Sequence, residues 1–356
     1  MSKRLLKGNE ASVLGALMGG CTHFFGYPIT PASEIAQAAS YYFTKSGRVF
    51  LQGESEVSVI NMIYGASSAG QRVMSASSGP GIALMQEGFS YLGGARLPFV
   101  MIDMQRAGPG LGNIWPEQSD YNMVVKGGGH GNYKNIVLAP SSAQEMFDFT
   151  KKAFSLADTY RMGVVILGDG YIGQVMETVE IDEDVEHGKR KDWAVYADAE
   201  SRENLITSLS MSPSLMSAHN QLLQDVYARV ENDIIDYEEV ETTDASIIFV
   251  TYGIVSRICH SAVHKLRKLG IKAGMLRLKT LFPFPKEKIL SFATKHIPLV
   301  VVELSNGQMM EDVILSAKNL TKIIPFLRMG GIVPTVGDVV EAVQEEYLAL
   351  EQDRSM

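Results

Sequence analysis

The run His23-Phe-Phe-Gly-Tyr-Pro-Ile-Thr-Pro-Ala-Ser-Glu-Ile-Ala-Gln-Ala-Ala-Ser-Tyr-Tyr-Phe43 decides the fold. Its apolar head, His23 to Tyr27, reads as a strand, and its tail, Pro31 to Phe43, reads as a helix. Two prolines three apart hold the backbone between them extended, and Thr30, preceding Pro31, is biased away from the helical region. Thr30 at the N-cap with Pro31 at the first helical position is a well-formed helix start. A strand that passes through a short turn into a helix is the repeating unit of an open parallel sheet.

The same unit recurs on both sides of this run. Gly8 to Gly20 reads as a small-residue helix packed closely on a sheet. Val49 to Gln52, Arg72 to Ser75, Leu97 to Met104, Asn135 to Leu138 and Val164 to Leu167 read as strands. Helices are expected at Ser55 to Ala69, Gly81 to Leu92 and Ala143 to Asp158. The strands are nearly all apolar, as strands buried on both faces are. Residues 1–185 are therefore expected to form one open-sheet α/β domain. Residues 186–244 read as a linker with one long helix, Ser214 to Asp233, and the acidic run Asp236 to Asp244 reads as solvated. A second α/β domain is expected over 245–356, with strands Ile247 to Thr251, Lys272 to Leu278 and Leu299 to Glu303. Its helices are Val255 to Leu269, Met309 to Asn319 and Val336 to Glu351, and Phe282-Pro-Phe-Pro285 forms a rigid turn before a further helix ending near Thr294.

Composition narrows the partners. A formal charge of −8 argues against nucleic acid, which needs a basic face. No stretch reaches the roughly 18 apolar residues of a membrane span. The basic N-terminus lacks the apolar core of a signal peptide, so a cytoplasmic protein with no membrane partner is expected. The two cysteines, Cys21 and Cys259, cannot build a four-cysteine iron–sulfur site, and both read as plain buried thiols.

Several strand–helix turns carry residues suited to chemistry. Thr30 either caps its helix or offers a hydroxyl and free N–H groups to a carboxylate at the end of a strand. In Gln52-Gly-Glu-Ser-Glu-Val-Ser58, Glu54 and Glu56 either complement a helix dipole or face a nitrogenous cofactor. The small residues of Ser75-Ala-Ser-Ser-Gly-Pro-Gly81 let a ligand approach the backbone. Arg106, in Met104-Gln-Arg-Ala-Gly-Pro-Gly-Leu-Gly-Asn113, suits bidentate binding of a substrate carboxylate, or is an ordinary surface arginine. His130 in Lys126-Gly-Gly-Gly-His-Gly131 is either a structural donor or a catalytic group. Gly168-Asp-Gly170 looks like a magnesium–diphosphate motif, but the acidic stretch after it is unsuited to phosphate. Asp169 therefore reads as a turn residue, and no metal ligand is assigned in this chain.

Taken together and in order, Tyr27-Pro-Ile-Thr-Pro31, Glu54-Ser-Glu56, Ser78-Gly-Pro-Gly81, Arg106-Ala-Gly-Pro-Gly-Leu-Gly112, Gln118-Ser-Asp120, Gly127-Gly-Gly-His-Gly131 and Glu303-Leu-Ser-Asn-Gly-Gln308 resemble the α subunit of the 2-oxoacid:ferredoxin oxidoreductases. The overall text looks most like the branched-chain type, which acts on 3-methyl-2-oxobutanoate (2-ketoisovalerate), with the 2-oxoglutarate type a close rival. The resemblance implies a pyrimidine-type thiamine-diphosphate-binding domain followed by a domain like the transketolase C-terminal domain.

It also implies roles. Glu56 matches the acid that hydrogen-bonds N1′ of the aminopyrimidine, where a carboxyl favours the imino tautomer that takes the proton from C2 of the thiazolium. Thr30 and Arg106 match residues near the substrate carboxylate and carbonyl, and Ser78, Gly79 and Pro80 match the cofactor-binding turn. Asn306 and Gln308 are further candidate contacts. The cofactor is shared with a β subunit that brings magnesium and the diphosphate site. A γ subunit and a ferredoxin-like δ subunit with iron–sulfur clusters complete the assembly, coenzyme A takes the acyl group, and ferredoxin takes the electrons. Two other classes compete. A dinucleotide-binding oxidoreductase lacks support, because the first strand–helix turn has no Gly-x-Gly-x-x-Gly. A non-catalytic scaffold with the same fold is opposed by the joint presence of Glu56, Thr30 and Arg106.

Overall fold

The computed structural model describes residues 2–355. A seven-stranded sheet carries the first domain, in the spatial order Thr280–Phe282, Ile136–Leu138, Gly163–Asp169, Phe99–Gln105, Val73–Ser77, His23–Gly26, Val49–Gln52. Every pairing is parallel except that of Thr280–Phe282 with Ile136–Leu138. Phe99–Gln105 and Gly163–Asp169 lie at the centre and are buried along their whole length. Helices cover both faces, as a sheet apolar on both sides requires. Gly8–Met18 packs against Ala143–Tyr160 so closely that a side-chain carbon on Gly15 would lie 2.3 Å from the Phe147 carbonyl oxygen.

From His23–Gly26 the chain first crosses outward to the edge strand Val49–Gln52, then returns to place Val73–Ser77 on the other side of His23–Gly26. The direction of winding therefore reverses between His23–Gly26 and Val73–Ser77. A reversal of this kind leaves a crevice at the carboxyl ends of the strands, where ligands of open α/β sheets bind.

The second sheet has five strands, ordered Ile323–Leu327, Leu299–Glu303, Ile247–Thr251, Ala273–Leu278, Tyr237–Val240, with only the last antiparallel. Its own core packs Val255, Cys259 and Val263 of helix Gly253–Lys268 against Val339, Val340 and Val343 of helix Val336–Ser355 and the apolar sheet face. The long helix Pro213–Asp233 sets Leu223, Val226, Tyr227 and Val230 against the core.

Several elements depart from the sequence reading. The acidic run read as solvated linker contains a strand: Tyr237–Val240 pairs with Ala273–Leu278, and Arg277 draws in Glu238 with Nε 2.7 Å from its carboxylate. Thr280–Phe282, whose last residue opens the segment read as a rigid turn, closes the edge of the first domain's sheet. Ser2–Lys7 and Met176–Ile181 form a separate antiparallel pair. Ile323–Leu327 is an edge strand carrying Pro325, a residue confined to strands with an unpaired side.

Thr30 is not the N-cap of its helix. The helix runs Ser33–Lys45 with Ala32 in the cap position, and the Thr30–Pro31 peptide is cis. The Pro31 carbonyl is taken by Asn9 Nδ2 at 3.1 Å, and the turn closes one residue later, with Ile35 N–H donating to the Ala32 carbonyl at 2.9 Å. Both cysteines are fully buried, and burial pushes the Cys21 thiol up to about 12. No helix among the described residues is long and apolar enough to cross a membrane.

Candidate active site

The crevice holds the turn after His23–Gly26, the turn after Val73–Ser77 and the start of helix Glu56–Ser68. Ser55 caps that helix, its hydroxyl accepting from Ser58 N–H at 3.3 Å. The cap separates the two neighbouring acids. Glu54 is exposed and bonded to the Ser58 hydroxyl, whereas Glu56 is only 6% exposed. The Glu56 carboxylate has no hydrogen-bond or ion-pair partner among the described residues. It lies against Gly81, where a side-chain carbon would sit 2.7 Å from Glu56 Oε1 and 2.2 Å from Ser77 Oγ. Only glycine lets helix Gly79–Gly94 come this close. The hydroxyls of Ser75, Ser77 and Ser78 are also buried without partners. Native interiors seldom leave such hydroxyls unbonded, so the turn is suited to meet something outside the chain.

Beyond Gly79 and Pro80 opens a cavity of about 1290 Å³. Arg106 and the loop after it form one wall, Ala83, Leu84 and Met123 another, and Asn306, Gln308 and Met329 of the second domain a third. Arg106 donates from its two terminal nitrogens to the carbonyls of Thr30 and Leu111, each at 2.9 Å, while its Nε is buried without a partner. Thr30 therefore meets Arg106 through its backbone, at an exposed rim. Among the described lining residues Arg106 is the one cation, facing two acids, Glu117 and Asp120. Asp120 accepts from Gly79 N–H at 3.2 Å, and burial raises its carboxyl to about 6.

The structure brings together Arg106, Gly79 and Pro80 on the cavity wall, with Ser78 buried behind them and Thr30 at the rim. Glu56 lies across Gly81 and does not itself line the cavity. His130 is exposed, and only its backbone carbonyl is used, by the Ser90 hydroxyl. Asp169 is a turn residue with a second task. Its Oδ1 caps Tyr171 and Ile172, and its Oδ2 accepts from Ile254 N–H of the second domain at 3.3 Å. Sequence reading missed Asp103 and Glu117, and singled out Asp120 only within the Gln118-Ser-Asp120 motif, with no role given to it. A lone acid inside the apolar run Phe99-Val-Met-Ile-Asp-Met104 was the available signal, because a buried polar residue is the informative exception.

The Gln118-Ser-Asp120 and Glu303-to-Gln308 segments meet each other. Gln118 is fully buried, and its amide and backbone exchange hydrogen bonds with Leu304 N–H, Leu304 C=O, Tyr252 C=O and the Tyr252 hydroxyl, between 2.6 and 3.3 Å. Gln308 Nε2 donates to the Ser119 carbonyl at 2.8 Å, and its Oε1 accepts from Asn122 N–H at 2.7 Å. The second domain is thereby fixed as one wall of the site.

An unpartnered carboxylate, three unpartnered hydroxyls and a glycine-lined approach fit a flat nitrogenous ring such as an aminopyrimidine. No cluster of three or more His, Cys, Asp or Glu able to hold a metal occurs among the described residues.

Comparisons with known proteins give the family. Residues 14–246 match the thiamine-diphosphate-binding domain of pyruvate flavodoxin/ferredoxin oxidoreductases, and residues 245–339 match core domain II of pyruvate:ferredoxin oxidoreductase. The ketoisovalerate oxidoreductase subunit VorB of Methanothermobacter thermautotrophicus is 51% identical over 97% of this chain and 98% of its own. The 2-oxoglutarate synthase subunit KorA of Archaeoglobus fulgidus is 35% identical over 88% of this chain and 91% of its own. The solved structure of 2-oxoglutarate:ferredoxin oxidoreductase from Magnetococcus marinus superposes with a TM-score of 0.88 at 28% identity, covering 97% of this chain and 65% of that one. A split-gene transketolase, at 13% identity and a TM-score of 0.55, shares the fold. The chain belongs to the 2-oxoacid:ferredoxin oxidoreductases, as a thiamine-fold subunit of that family of multi-subunit enzymes.

Proposed function

We propose that this chain is the α subunit of a cytoplasmic enzyme that oxidatively decarboxylates a branched-chain 2-oxoacid, of the 3-methyl-2-oxobutanoate type, to its acyl-coenzyme A and CO₂. The observation that carries the substrate is the agreement between relatives and cavity. Identity is 51% with the two Methanothermobacter ketoisovalerate relatives, 33–35% with the 2-oxoglutarate ones and 27% with the Pyrococcus ketoisovalerate ones. The lining is largely aliphatic and holds a single cation, Arg106. One guanidinium suits one carboxylate. A 2-oxoglutarate would need a second cation for its distal carboxylate, and Glu117 and Asp120 would oppose it.

Glu56 would hold the N1′ side of the thiamine aminopyrimidine, with Ser78, Gly79 and Pro80 forming the turn against which the ring rests. When bound, the cofactor supplies the electron sink for decarboxylation. Glu56 would fix the ring's protonation state by giving its carboxyl proton to N1′ and accepting the hydrogen bond from the N1′–H that results. Arg106 orients the substrate carboxylate, and Thr30 positions Arg106 through its carbonyl. The remaining parts fall to partners: a β subunit for magnesium and diphosphate, a γ subunit, and a ferredoxin-like δ subunit carrying the iron–sulfur clusters. Coenzyme A is co-substrate and ferredoxin the acceptor. The exposed apolar residues beside the cavity, Leu84, Leu111, Ile114 and Trp115, support a subunit contact there.

The test is reconstitution. This chain alone and with its partners would be assayed for coenzyme-A-dependent reduction of a low-potential dye with 3-methyl-2-oxobutanoate, 2-oxoglutarate and pyruvate. The expected result is silence from the chain alone and preference for the branched acid in the assembly. Preference for 2-oxoglutarate overturns the substrate reading, and turnover by the isolated chain overturns the shared site.

A further inference from the structure

Behind the cavity wall lies a pair of acids that the site description leaves without a task. Asp103, on the central strand Phe99–Gln105, is 0% exposed, and neither of its carboxylate oxygens has a hydrogen-bond donor. Its carboxyl faces that of Asp120, which is 8% exposed and lines the cavity. Asp120 is held on two further sides: its carboxylate accepts from Gly79 N–H at 3.2 Å, and its backbone N–H donates to Gln105 Oε1 at 3.3 Å. Gln105 in turn donates to the Gly168 carbonyl at 3.2 Å. A carbon placed on Gly79 would be 3.7 Å from Arg106 Cγ and 3.8 Å from Asp120 Oδ2, so cation and acid converge on this one residue.

Two carboxylates in contact and out of water cannot both be ionised. The geometry decides which one keeps the proton. Asp120 has the Gly79 N–H at 3.2 Å and the charge of Arg106 to stabilise an anion, while Asp103 is wholly buried, so the proton sits on Asp103 and is shared toward Asp120. Burial first, then the charge of Asp120, raises Asp103 well above the ordinary range, consistent with this order. The other ionisable groups facing the pair are Glu117 and Arg106 from the loop and the Tyr252 hydroxyl from the second domain. Glu117 is tied to Gly330 N–H at 2.6 Å, and burial keeps Tyr252 neutral.

We propose that Asp103 and Asp120 form a one-proton acid pair that fixes Gly79 and holds the charge behind Arg106 at a single negative, so that an anionic 2-oxoacid is bound well only while the pair keeps its proton. Loss of that proton adds a second negative charge beside the carboxylate subsite. At an intermediate effective dielectric and a separation of several ångströms, that is about a tenfold penalty on binding an anion. Asp103 and Asp120 are positioning residues, and they act through Gly79 and Arg106. The effect on substrate presupposes the 2-oxoacid activity proposed above; the shared proton does not.

The experiment has two arms, both on the assembled complex, with this chain carrying ¹³C-labelled aspartate. Isotope-edited infrared spectra of wild type minus D103N should contain a protonated-carboxyl band at neutral pH that vanishes at alkaline pH. In D120N the Asp103 proton faces a neutral amide, so the band should persist and move to higher frequency. Kinetically, KM for 3-methyl-2-oxobutanoate should rise about tenfold in wild type as the band disappears and stay level in D103N, with kcat following a different profile. Absence of the band at neutral pH, or a D103N KM that climbs with pH as wild type does, overturns the pair. A complex that shows the band yet turns over no 2-oxoacid upholds the shared proton and overturns the activity on which the substrate effect depends.

Discussion

Glu56 and Glu303 both stand at a strand–helix connection, Glu56 as the first residue of its helix and Glu303 as the last of its strand, and each is nearly out of water. Their surroundings differ completely. Glu303 accepts from the N–H groups of Met309 and Met310, both at 3.0 Å, and from the Ser305 hydroxyl at 2.8 Å. Every orphan donor at the start of helix Gln308–Ala317 that reaches it is satisfied, and the loop is complete as it stands. Glu56 accepts nothing from the described residues, and the Ser77 hydroxyl beside it, like those of Ser75 and Ser78, is unengaged. A buried acid that is fully bonded is architecture. One held in place with its bonding capacity unspent is a site, because leaving such a group bare costs on the order of 1–3 kcal/mol unless a ligand supplies the missing partner.

The sharpest way to break this contrast is E56Q in the assembled complex. Oxidation of the 2-oxoacid should fall by at least about a hundredfold while subunit assembly and thermal midpoint stay as they were. Unchanged turnover would remove Glu56 from the chemistry. Next in size is the join between the domains. Arg277 is 6% exposed at its side chain and lies 2.7 Å from both Glu145 and Glu238. Burial works against the Glu145 carboxylate, yet the bonds and charge of Arg277 still hold its pKa below the ordinary range. R277A would strand that buried acid, at an expected cost of about 3–5 kcal/mol in denaturant unfolding. A loss under 1 kcal/mol would show that the pair is solvated in solution.

A smaller effect separates architecture from site by pH. Burial lifts Asp169 to about 6, against an unfolded value of about 3.9. A raised folded pKa gives stability that is complete below the unfolded value and lost as pH rises through the folded one. D169N lacks this term, so its stability relative to wild type should improve by on the order of 2 kcal/mol between pH 4 and pH 7. A flat difference across that range would mean Asp169 stays ionised. The smallest effect belongs to Glu303. E303Q leaves one N–H or hydroxyl donor facing an amide NH₂ and should cost about 1 kcal/mol of stability. Its KM for the 2-oxoacid should not move in step with that loss. A large selective change in KM would make Glu303 part of the site and erase the comparison.

Much of this was legible in the sequence because buried parallel strands are written as short apolar runs. Ile247–Thr251 and Leu299–Glu303 begin and end where composition places them, as does the apolar but exposed edge strand Val49–Gln52. Ser2–Lys7 and Met176–Ile181 were hidden by their charge, which a two-stranded exposed pair tolerates. Tyr237–Val240 was hidden likewise, because Glu238 owes its place to Arg277, thirty-nine residues downstream. Within the site, the turns carrying Thr30, Glu56, Ser78 and Arg106 were visible as small and polar residues between a strand and a helix. Which of Glu54 and Glu56 turns inward was not, since the two flank Ser55 and its capping of the helix decides it. The Asp103–Asp120 contact joins a strand to a loop through tertiary packing, and no local spacing encodes it.

Thr280–Phe282 has a consequence for how such a chain can be rearranged over evolutionary time. Although it follows the start of the second domain in the gene, it hydrogen-bonds to Ile136–Leu138 and seals the edge of the first domain's sheet. Splitting the gene between the two family domains, near residue 245, would leave the upstream product with an open apolar strand edge, the kind that pairs with other chains and aggregates. A viable fission or fusion point must instead carry this strand along with the upstream half. A split at the family-domain boundary is therefore expected to be disfavoured, and exchange among relatives is expected to keep Thr280–Phe282 with the thiamine-fold part.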